Sequence, residues 1–296
     1  MMNSNDLFKG IILAGGSGSR LFPSTFAISK QLIPIYDKPM IYYSLSTLMM
    51  AKIRDILIIS TPDHMPIYKK LLGNGSNLGI KISYKVQEKP EGIAQAFIIG
   101  EEFISNKNVA LILGDNLFYG DNFQEKLIKA TSFNSGGTIF SCVVDNPQDF
   151  GVVELDNDDR ILSIEEKPSL PKSNQVITGL YFYDNNVIKI SKGLKPSRRG
   201  ELEITDINLT YLKKDLLRLN NLGEGFVWLD TGTPNALLEA SNFIMAVEKR
   251  HGFKVGCIEE IAFKNNWITR EQFAKIIDIY PSNNYGLHLK NVLNKI

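Results

Sequence analysis

The sequence predicts an α/β protein with a doubly wound, mostly parallel sheet. In its first half, short runs rich in β-branched residues alternate with segments whose apolar residues recur at helical spacing. Such alternation is typical of parallel strands joined by right-handed crossovers, as in Rossmann-like folds, whose ligands bind beyond the carboxyl ends of the strands. The predicted strands are 9–15, 55–60, 80–86 and 108–114, and the predicted helices between them are 38–53, 65–73 and 91–105.

After residue 135 the pattern changes to strands separated by tight turns, which predicts an inserted β-rich lobe. A hairpin is predicted over 151–168, turning at its Asp-Asn-Asp-Asp segment. The other elements predicted in this part are strands at 137–144, 176–184, 216–220 and 225–230 and helices at 203–214 and 234–250.

A helical tail is predicted from Ile258 onward. Within it, Thr269 precedes an apolar stripe and Gln272 follows three residues later, which is the pattern of a capping box. We expect one core over 1–256, with a boundary near residue 135, and a helical segment over 257–296 that packs on the core or on another subunit.

Composition excludes several classes of function. The chain has 33 basic and 32 acidic residues and a net charge of +1, which argues against a nucleic-acid partner. Two cysteines and no signal-peptide pattern in the first thirty residues predict a cytoplasmic protein, and its longest apolar runs reach about half the ~18 residues that span a membrane. Its three histidines, far apart in the chain, have no zinc-ligand spacing.

A glycine-rich loop follows the first predicted strand. Gly15, Gly16 and Gly18 can adopt the positive φ that lets backbone N–H groups converge on an anion, and Arg20 adds a fork of donors. The spacing does not match a P-loop, and Leu21 stands where a dinucleotide fingerprint needs its third glycine. The alternative is an ordinary glycine turn between strand and helix.

Two aspartates end strand-like runs more than a hundred residues apart. Asp115 and Asp230 are candidates to converge on a hard cation such as Mg²⁺, although each is equally compatible with capping a turn or helix. Asp230 also begins an Asp-Thr-Gly-Thr segment like that of aspartic proteases. Those enzymes need two such aspartates in a mostly β fold, and this chain has one.

Further charged residues occur at predicted turns. Glu166 and Lys167 end the second strand of the hairpin, and Arg198 and Arg199 lie in a glycine turn before a helix. A solvated charged turn is the alternative for all four, and we expect it for Arg198.

In order along the chain, these segments resemble the signatures of the sugar-1-phosphate nucleotidylyltransferases, most closely of members that use dTTP and glucose 1-phosphate. The resemblance runs from residue 10 to about residue 290 and implies that dTDP-glucose and pyrophosphate are formed with Mg²⁺, as the first step of dTDP-rhamnose synthesis. It also implies a nucleotide half over about 1–135 and a sugar-binding half over about 136–233. The segments are 10–49, 86–97, 113–120, 165–168, 178–184, 199–206 and 228–233.

The same resemblance implies individual roles on the nucleotide side. Arg20 and Lys30 would hold the phosphates, and Asp115 and Asp230 the magnesium. The remaining residues implied to bind the nucleotide are Leu13, Gly15, Gly16, Ser17, Gly18, Ser19, Gln87 and Gly92.

On the sugar side, Lys167 and Arg199 would grip the phosphate of glucose 1-phosphate. The residues implied to surround the glucose are Gly151, Glu166, Ile177 and Tyr181. Because the attacking phosphate is already deprotonated and no Ser/His or Cys/His pair occurs among these motifs, we expect a single in-line displacement without a protein nucleophile.

A homotetramer and feedback inhibition by dTDP-rhamnose at a second site are also implied. Tyr119, Gly120, Glu260 and Lys264 fall where that site would lie, with lysine in place of a more usual arginine. Two alternative functions stay open at this point. They are a uridylyltransferase on the same fold and an inactive regulatory subunit that binds sugar nucleotides.

Overall fold

The computed structural model describes residues 7–133 and 135–295. The strands are β1 (Phe8–Leu13), β2 (Pro34–Ile35), β3 (Lys38–Pro39), β4 (Asp55–Ser60), β5 (Lys81–Val86), β6 (Asn108–Leu113), β7 (Asn116–Tyr119), β8 (Gly137–Val143), β9 (Gly151–Leu155), β10 (Ile161–Glu166), β11 (Gln175–Tyr183), β12 (Leu217–Asn221) and β13 (Val227–Asp230). The helices are α1 (Ile41–Met50), α2 (Met65–Leu72), α3 (Gln95–Ile99), α4 (Glu101–Ile104), α5 (Phe123–Ala130), α6 (Asn186–Gly193), α7 (Ile204–Leu212), α8 (Pro234–His251), α9 (Ile258–Lys264), α10 (Arg270–Ile279) and α11 (Asn284–Lys295).

The first half of the chain forms the parallel part of the sheet, in the order β6-β1-β4-β5, which confirms the α/β prediction. Leu13 at the end of β1 lies opposite both Ile59 and Leu113. The carboxyl ends of these strands therefore meet at one edge. Both faces of the sheet carry a buried apolar cluster, which explains the nearly continuous Val, Ile and Leu runs.

Two of the predicted helices begin later than the apolar spacing indicated. The segment 38–53 becomes helical only at Ile41, because Lys38 and Pro39 form the short strand β3. The segment 91–105 starts at Gln95 and divides at Gly100 into α3 and α4. A Cβ at Gly100 would lie 2.9 Å from the Ile11 side chain, so a glycine permits the close approach of the helix to the sheet.

The second half continues the same sheet with strands of both directions. β11 pairs antiparallel with β6, and β8 and β9 pair antiparallel with β11. β10 and β12 complete the nine-stranded sheet. The change of pattern near residue 135 is therefore a change from purely parallel to mixed strand pairing, and the β-rich half shares its sheet with the first half.

A separate two-stranded ribbon forms between β7 and β13. β7 starts three residues after β6 ends, and its partner places Asp230 opposite Asn116. This antiparallel pairing brings together two parts of the chain that are far apart in sequence. It thereby carries Asp230 to the carboxyl edge of the main sheet, beside Asp115.

The tail is helical, as predicted, and packs on the core. The Thr269 N–H donates to Gln272 Oε1 at 2.8 Å, and the Gln272 N–H donates to Thr269 Oγ1 at 3.2 Å, which confirms the capping box. Phe263 of α9 stacks on Phe273 of α10 with ring centroids 4.4 Å apart. Among the described residues, no helix combines the length and the apolar character that crossing a membrane requires.

Candidate active site

A cleft opens at the carboxyl edge of the sheet and consists of three adjoining cavities of about 700, 190 and 230 Å³. Asp115 lines all three of them. The largest cavity is lined mainly by the second half of the chain, and the two smaller ones mainly by the first half. One carboxylate at the end of β6 thus stands where the two halves of the cleft meet.

The residues predicted for the nucleotide side surround the two smaller cavities. Lys30 and Arg20 border one of them, and Arg20 also reaches the large cavity. The others lining one or both are Leu13, Gly15, Gly16, Ser17, Gly18, Ser19, Gln87 and Gly92.

The residues predicted for the sugar side surround the large cavity. Asp230 lies on its wall with them. They are Gly151, Glu166, Lys167, Ile177, Tyr181 and Arg199. Arg198 is exposed and is not among the lining residues.

The glycine loop has the predicted positive φ at two of its three glycines, and Gly15 does not adopt it. Gly16 and Gly18 have φ values of 94° and 58°, in the left-handed region. The Gly18 carbonyl accepts hydrogen bonds from Thr25 Oγ1 at 2.8 Å and from the Leu21 N–H at 2.9 Å, which closes the loop. A Cβ at Gly15 would overlap Gln87 Oε1. The loop therefore packs directly against the Gln87 side chain.

Gln87 is held in one orientation. Its side chain is 2% exposed, and its backbone N–H donates to the Ser60 carbonyl at 2.8 Å. Its amide Nε2 donates to Gln95 Oε1 at 2.6 Å, and Gln95 donates in turn to Glu91 Oε2 at 2.7 Å. This chain of hydrogen bonds leaves a fixed amide at the rim of the 190 Å³ cavity.

Asp115 and Asp230 form the electrostatic centre of the cleft. Asp115 Oδ2 accepts from Lys30 Nζ at 2.6 Å, and Asp115 Oδ1 accepts from Asn116 Nδ2 at 2.9 Å. Burial, followed by repulsion from Asp115, raises the pKa of Asp230 to about 6, against the attraction of Lys30, Arg20 and Lys167. Two carboxylates thus share a site whose cations do not fully compensate them.

This donor set fits a divalent cation. Carboxylate oxygens are the hard ligands that Mg²⁺ prefers, and Mg²⁺ takes few protein ligands because it keeps several waters. A Cβ at Gly232 would lie 3.1 Å from both Arg20 Nη2 and Asp230 Oδ2, so the missing side chain lets these groups approach one another.

Lys167 adopts an unusual backbone conformation. It follows β10 directly and has a φ of 45°, which is a left-handed conformation costly for a residue with a side chain. Its N–H donates to the Phe150 carbonyl at 3.0 Å, which fixes the turn. The ammonium group reaches the same cavity as Asp230 and contributes to lowering the pKa of that carboxyl.

Sequence reasoning missed several residues that organise the cleft. Asn116 is buried, and its Oδ1 accepts from the Gly179 N–H at 2.9 Å and from Trp228 Nε1 at 2.7 Å, so it joins β7, β11 and β13 beside Asp115. Thr205 Oγ1 donates to Glu166 Oε2 at 2.5 Å. Both residues lie inside segments that carry the resemblance, but their local sequence shows no chemistry of its own.

The four predicted effector residues also lie together. Tyr119, Gly120, Glu260 and Lys264 line a cavity of about 290 Å³, and none of the described residues lining it also lines the cleft. Lys264 Nζ pairs with Glu260 Oε1 at 2.7 Å.

Beside this cavity, the fold assembles a group that the histidine spacing did not predict. Cys257, Glu260 and His288 bring one potential ligand atom each to within 4.8 Å of one another. His288 Nε2 lies 2.6 Å from Glu260 Oε2.

Comparison with known proteins identifies the family of this chain. Residues 9–247 match the family described as nucleotidyl transferase. The chain belongs to the nucleotidyl transferase family. This family member is 53% identical to the glucose-1-phosphate thymidylyltransferase of Neisseria meningitidis serogroup A, over 97% of this chain and 100% of that one. It is 51% identical to the Mycobacterium tuberculosis enzyme of the same name, over 97% and 99% of the two chains.

A solved structure of similar fold comes from Bacillus anthracis. That protein, provisionally assigned as a glucose-1-phosphate thymidylyltransferase and crystallised with a sucrose, matches with a TM-score of 0.75 and 43% identity. The match covers 80% of this chain and 94% of that one.

Replacing Gly15 with alanine is expected to weaken nucleotide binding and to lower stability somewhat, because Gln87 is buried and hydrogen-bonded. The added methyl group displaces the Gln87 amide. Titration with dTTP measures the effect, and an increase of about tenfold in Kd is expected from one lost hydrogen-bonding position. Gly193→Ala, at a position with nothing within 4 Å of the added Cβ, is the control. Unchanged dTTP affinity in Gly15→Ala contradicts the assignment.

Replacing Asp230 with asparagine is expected to stabilise the protein in the absence of divalent cations. The pKa of Asp230 is raised from 3.8 to about 6 in the folded state, which means that folding disfavours the ionised carboxylate. Below pH 3.8 the group is protonated in both states and costs no stability, whereas stability is lost as the pH rises through 6. The gain in the free energy of unfolding should approach zero near pH 4 and reach up to about 3 kcal/mol at pH 8. Denaturant unfolding with a chelator at both pH values tests this.

The matched control for that measurement is Asp278→Asn, which changes an exposed carboxylate on α10. A stabilisation by Asp230→Asn that is equal at pH 4 and pH 8 would show that the raised pKa is not its cause.

Proposed function

We propose that this chain transfers a thymidylyl group from dTTP to glucose 1-phosphate, giving dTDP-glucose and pyrophosphate. The observation that carries the proposal is the single cleft with Asp115 at its junction, bordered by an anion-binding loop on one side and by Glu166 and Lys167 on the other. The activity in the names of relatives about half identical to this chain supports the choice of substrates. The proposed setting is cytoplasmic, at the first step of dTDP-rhamnose synthesis.

The reaction must overcome repulsion between its own substrates. The sugar phosphate carries about two negative charges near neutral pH, and its target is the α-phosphorus of a triphosphate. Two unit charges about 4 Å apart repel by about 4 kcal/mol at an effective dielectric of about 20. Arg20, Lys30 and Lys167 lie close enough to the cleft's carboxylates to influence the pKa of Asp230. The same cations offset the charge of the two substrates.

Each side of the cleft then has a defined task. The N–H groups of the glycine loop and Arg20 bind the triphosphate, and the fixed Gln87 amide faces the base. Lys167 and Arg199 hold the sugar phosphate, and Glu166, oriented by Thr205, accepts a hydrogen bond from a sugar hydroxyl. Asp115 and Asp230 would hold Mg²⁺, which when bound supplies positive charge to the reacting phosphates.

No protein group needs to accept a proton or form a bond. The phosphate oxygen attacks the α-phosphorus as pyrophosphate leaves on the opposite side, so catalysis consists of positioning and preorganised positive charge. This predicts inversion at phosphorus. Isolation of a nucleotidylated protein would contradict a single displacement.

The direct test is pyrophosphate release by the purified protein alone, given dTTP, glucose 1-phosphate and Mg²⁺. Release that requires all three components supports the proposal, and no release would identify a binding subunit instead.

Parallel rates with UTP test the base preference. One methyl group discriminates by about 1 to 3 kcal/mol, so slow use of UTP is expected, whereas a faster rate with UTP would identify a uridylyltransferase.

Lys167→Ala is expected to raise the KM for glucose 1-phosphate by about tenfold or more, because it removes a charged phosphate contact, while the KM for dTTP changes little. Asp115→Ala should abolish turnover. The control is Lys172→Ala, which removes an exposed lysine paired with Glu154 on the neighbouring hairpin. Equal losses for both substrates in Lys167→Ala would contradict the role of this lysine.

We further propose that the cavity of about 290 Å³ binds dTDP-rhamnose as a feedback inhibitor and that the protein forms a homotetramer. Tyr119 and Phe253 stack beside this cavity with centroids 6.5 Å apart, and the exposed Lys264 supplies a cation for a diphosphate. Inhibition by dTDP-rhamnose that Lys264→Ala weakens would support the site. Light scattering measures the assembly, and a monomeric mass would rule out the tetramer.

A further inference from the structure

The guanidinium of Arg199 is held by a carboxylate that the proposed reaction does not use. Glu203 accepts two parallel hydrogen bonds from it, from Nε to Oε1 at 3.1 Å and from Nη2 to Oε2 at 2.8 Å. This forked geometry fixes both the plane and the direction of the guanidinium. The contacts of Nη2 with Glu166 and Glu201, each at 3.4 Å, are longer and secondary.

Glu203 is itself fixed in place. It is 7% exposed, and its Oε1 also accepts from Ser197 Oγ at 2.6 Å. The turn that carries Arg199 is closed by the Ser197 N–H bonding to the Glu201 carbonyl at 2.8 Å and the Gly200 N–H bonding to the Ser197 carbonyl at 2.9 Å. Backbone and side chain together hold the arginine against a buried anchor.

Capping of α7 does not account for the carboxylate of Glu203. It is the N-cap of α7, where Ser, Thr, Asp or Asn normally accepts a bond from the first turn, yet its side chain makes no capping hydrogen bond. Within the described part of the chain, the carboxylate accepts hydrogen bonds from Ser197 and Arg199 alone.

This arrangement leaves one arm of the arginine available. Among the residues that the structure describes, the hydrogen bonds of the Arg199 guanidinium involve Nε and Nη2, and none involves Nη1. A guanidinium has five N–H donors, so the two on Nη1 remain for a ligand. Arg199 lines the large cavity together with Glu166 and Lys167.

We propose that Glu203 is the positioning residue of the sugar-phosphate subsite, orienting Arg199 so that Nη1 is presented to the phosphate of the sugar 1-phosphate. The proposal rests on the proposed function. It adds a residue on the wall of the same cavity whose carboxylate acts through the arginine.

The direction of the effect distinguishes positioning from simple charge. Glu203 places a negative charge near an incoming phosphate dianion, so if its only influence were repulsion, removing that charge would tighten the binding of glucose 1-phosphate. If its role is to orient Arg199, removal releases the guanidinium into many rotamers and weakens binding. The two accounts therefore predict opposite changes in the affinity for glucose 1-phosphate.

The experiment compares the wild-type protein with Glu203→Gln, Glu203→Asp and the surface control Glu102→Gln, whose carboxylate pairs with Lys85 in an exposed salt bridge. The KM and kcat for each substrate are measured by pyrophosphate release, and binding of glucose 1-phosphate alone is measured by calorimetry. Thermal unfolding verifies that each variant is folded. Because the buried Glu203 carboxylate accepts charged hydrogen bonds from Arg199, a lower melting temperature is expected in the Glu203 variants, and binding is compared at a temperature at which every variant is folded.

The expected result is a rise of about tenfold in the KM and Kd for glucose 1-phosphate in Glu203→Gln, with the KM for dTTP within about twofold of wild type. Glu203→Asp keeps the charge and is expected to recover part of the loss. Unchanged or tighter binding of glucose 1-phosphate in folded Glu203→Gln overturns the proposal, as does an equal loss for both substrates.

Failure of the proposed function gives a different pattern. Wild-type protein that binds glucose 1-phosphate without releasing pyrophosphate would refute the reaction, and weaker binding in Glu203→Gln would then still support the positioning role. Wild-type protein that neither reacts with glucose 1-phosphate nor binds it would overturn both.

Discussion

The enforced proximity of two carboxylates, Asp115 and Asp230, is the constraint on which the rest of the cleft depends. Burial of Asp230, followed by repulsion from Asp115, raises the pKa of Asp230, and the nearby lysines and arginine only partly offset this. A folded chain keeps such an unfavourable pair together when the surrounding packing fixes both partners. Here Lys30 fixes one oxygen of Asp115 and Asn116 fixes the other. The two carboxylates therefore favour binding of a further positively charged group.

The topology determines how that pair is assembled. A parallel strand delivers Asp115 to the carboxyl edge of the sheet, and the β7–β13 ribbon returns Asp230 to the same place. Asn116 connects this ribbon to β11 through Gly179. The cavities of the cleft therefore adjoin at Asp115, because strands from both halves of the chain share one sheet. The proposed transfer between two anions requires that meeting point.

Much of the fold and of the candidate site could be predicted from local sequence. Buried parallel strands read as unbroken apolar runs, and the capping box at Thr269 depends only on residues three apart. Helix starts were less predictable. The segment 91–105 has helical spacing throughout, yet it divides at Gly100 because the helix packs tightly on the sheet. The residues proposed to bind the substrates were singled out by motifs, whereas Glu203 and Thr205, which hydrogen-bond to Arg199 and Glu166, were not.

The sequence by itself determined the class of the fold, the glycine-rich loop and the identity of the charged groups, because these depend on residue type and short spacing. Only the tertiary structure decided which of those charges meet. The approach of Asp230 to Asp115 and the fork between Glu203 and Arg199 both depend on how strands, turns and helices pack in three dimensions. Coulomb energy and hydrogen bonding fall off over a few ångströms, so their strength is set by distances that no local pattern specifies.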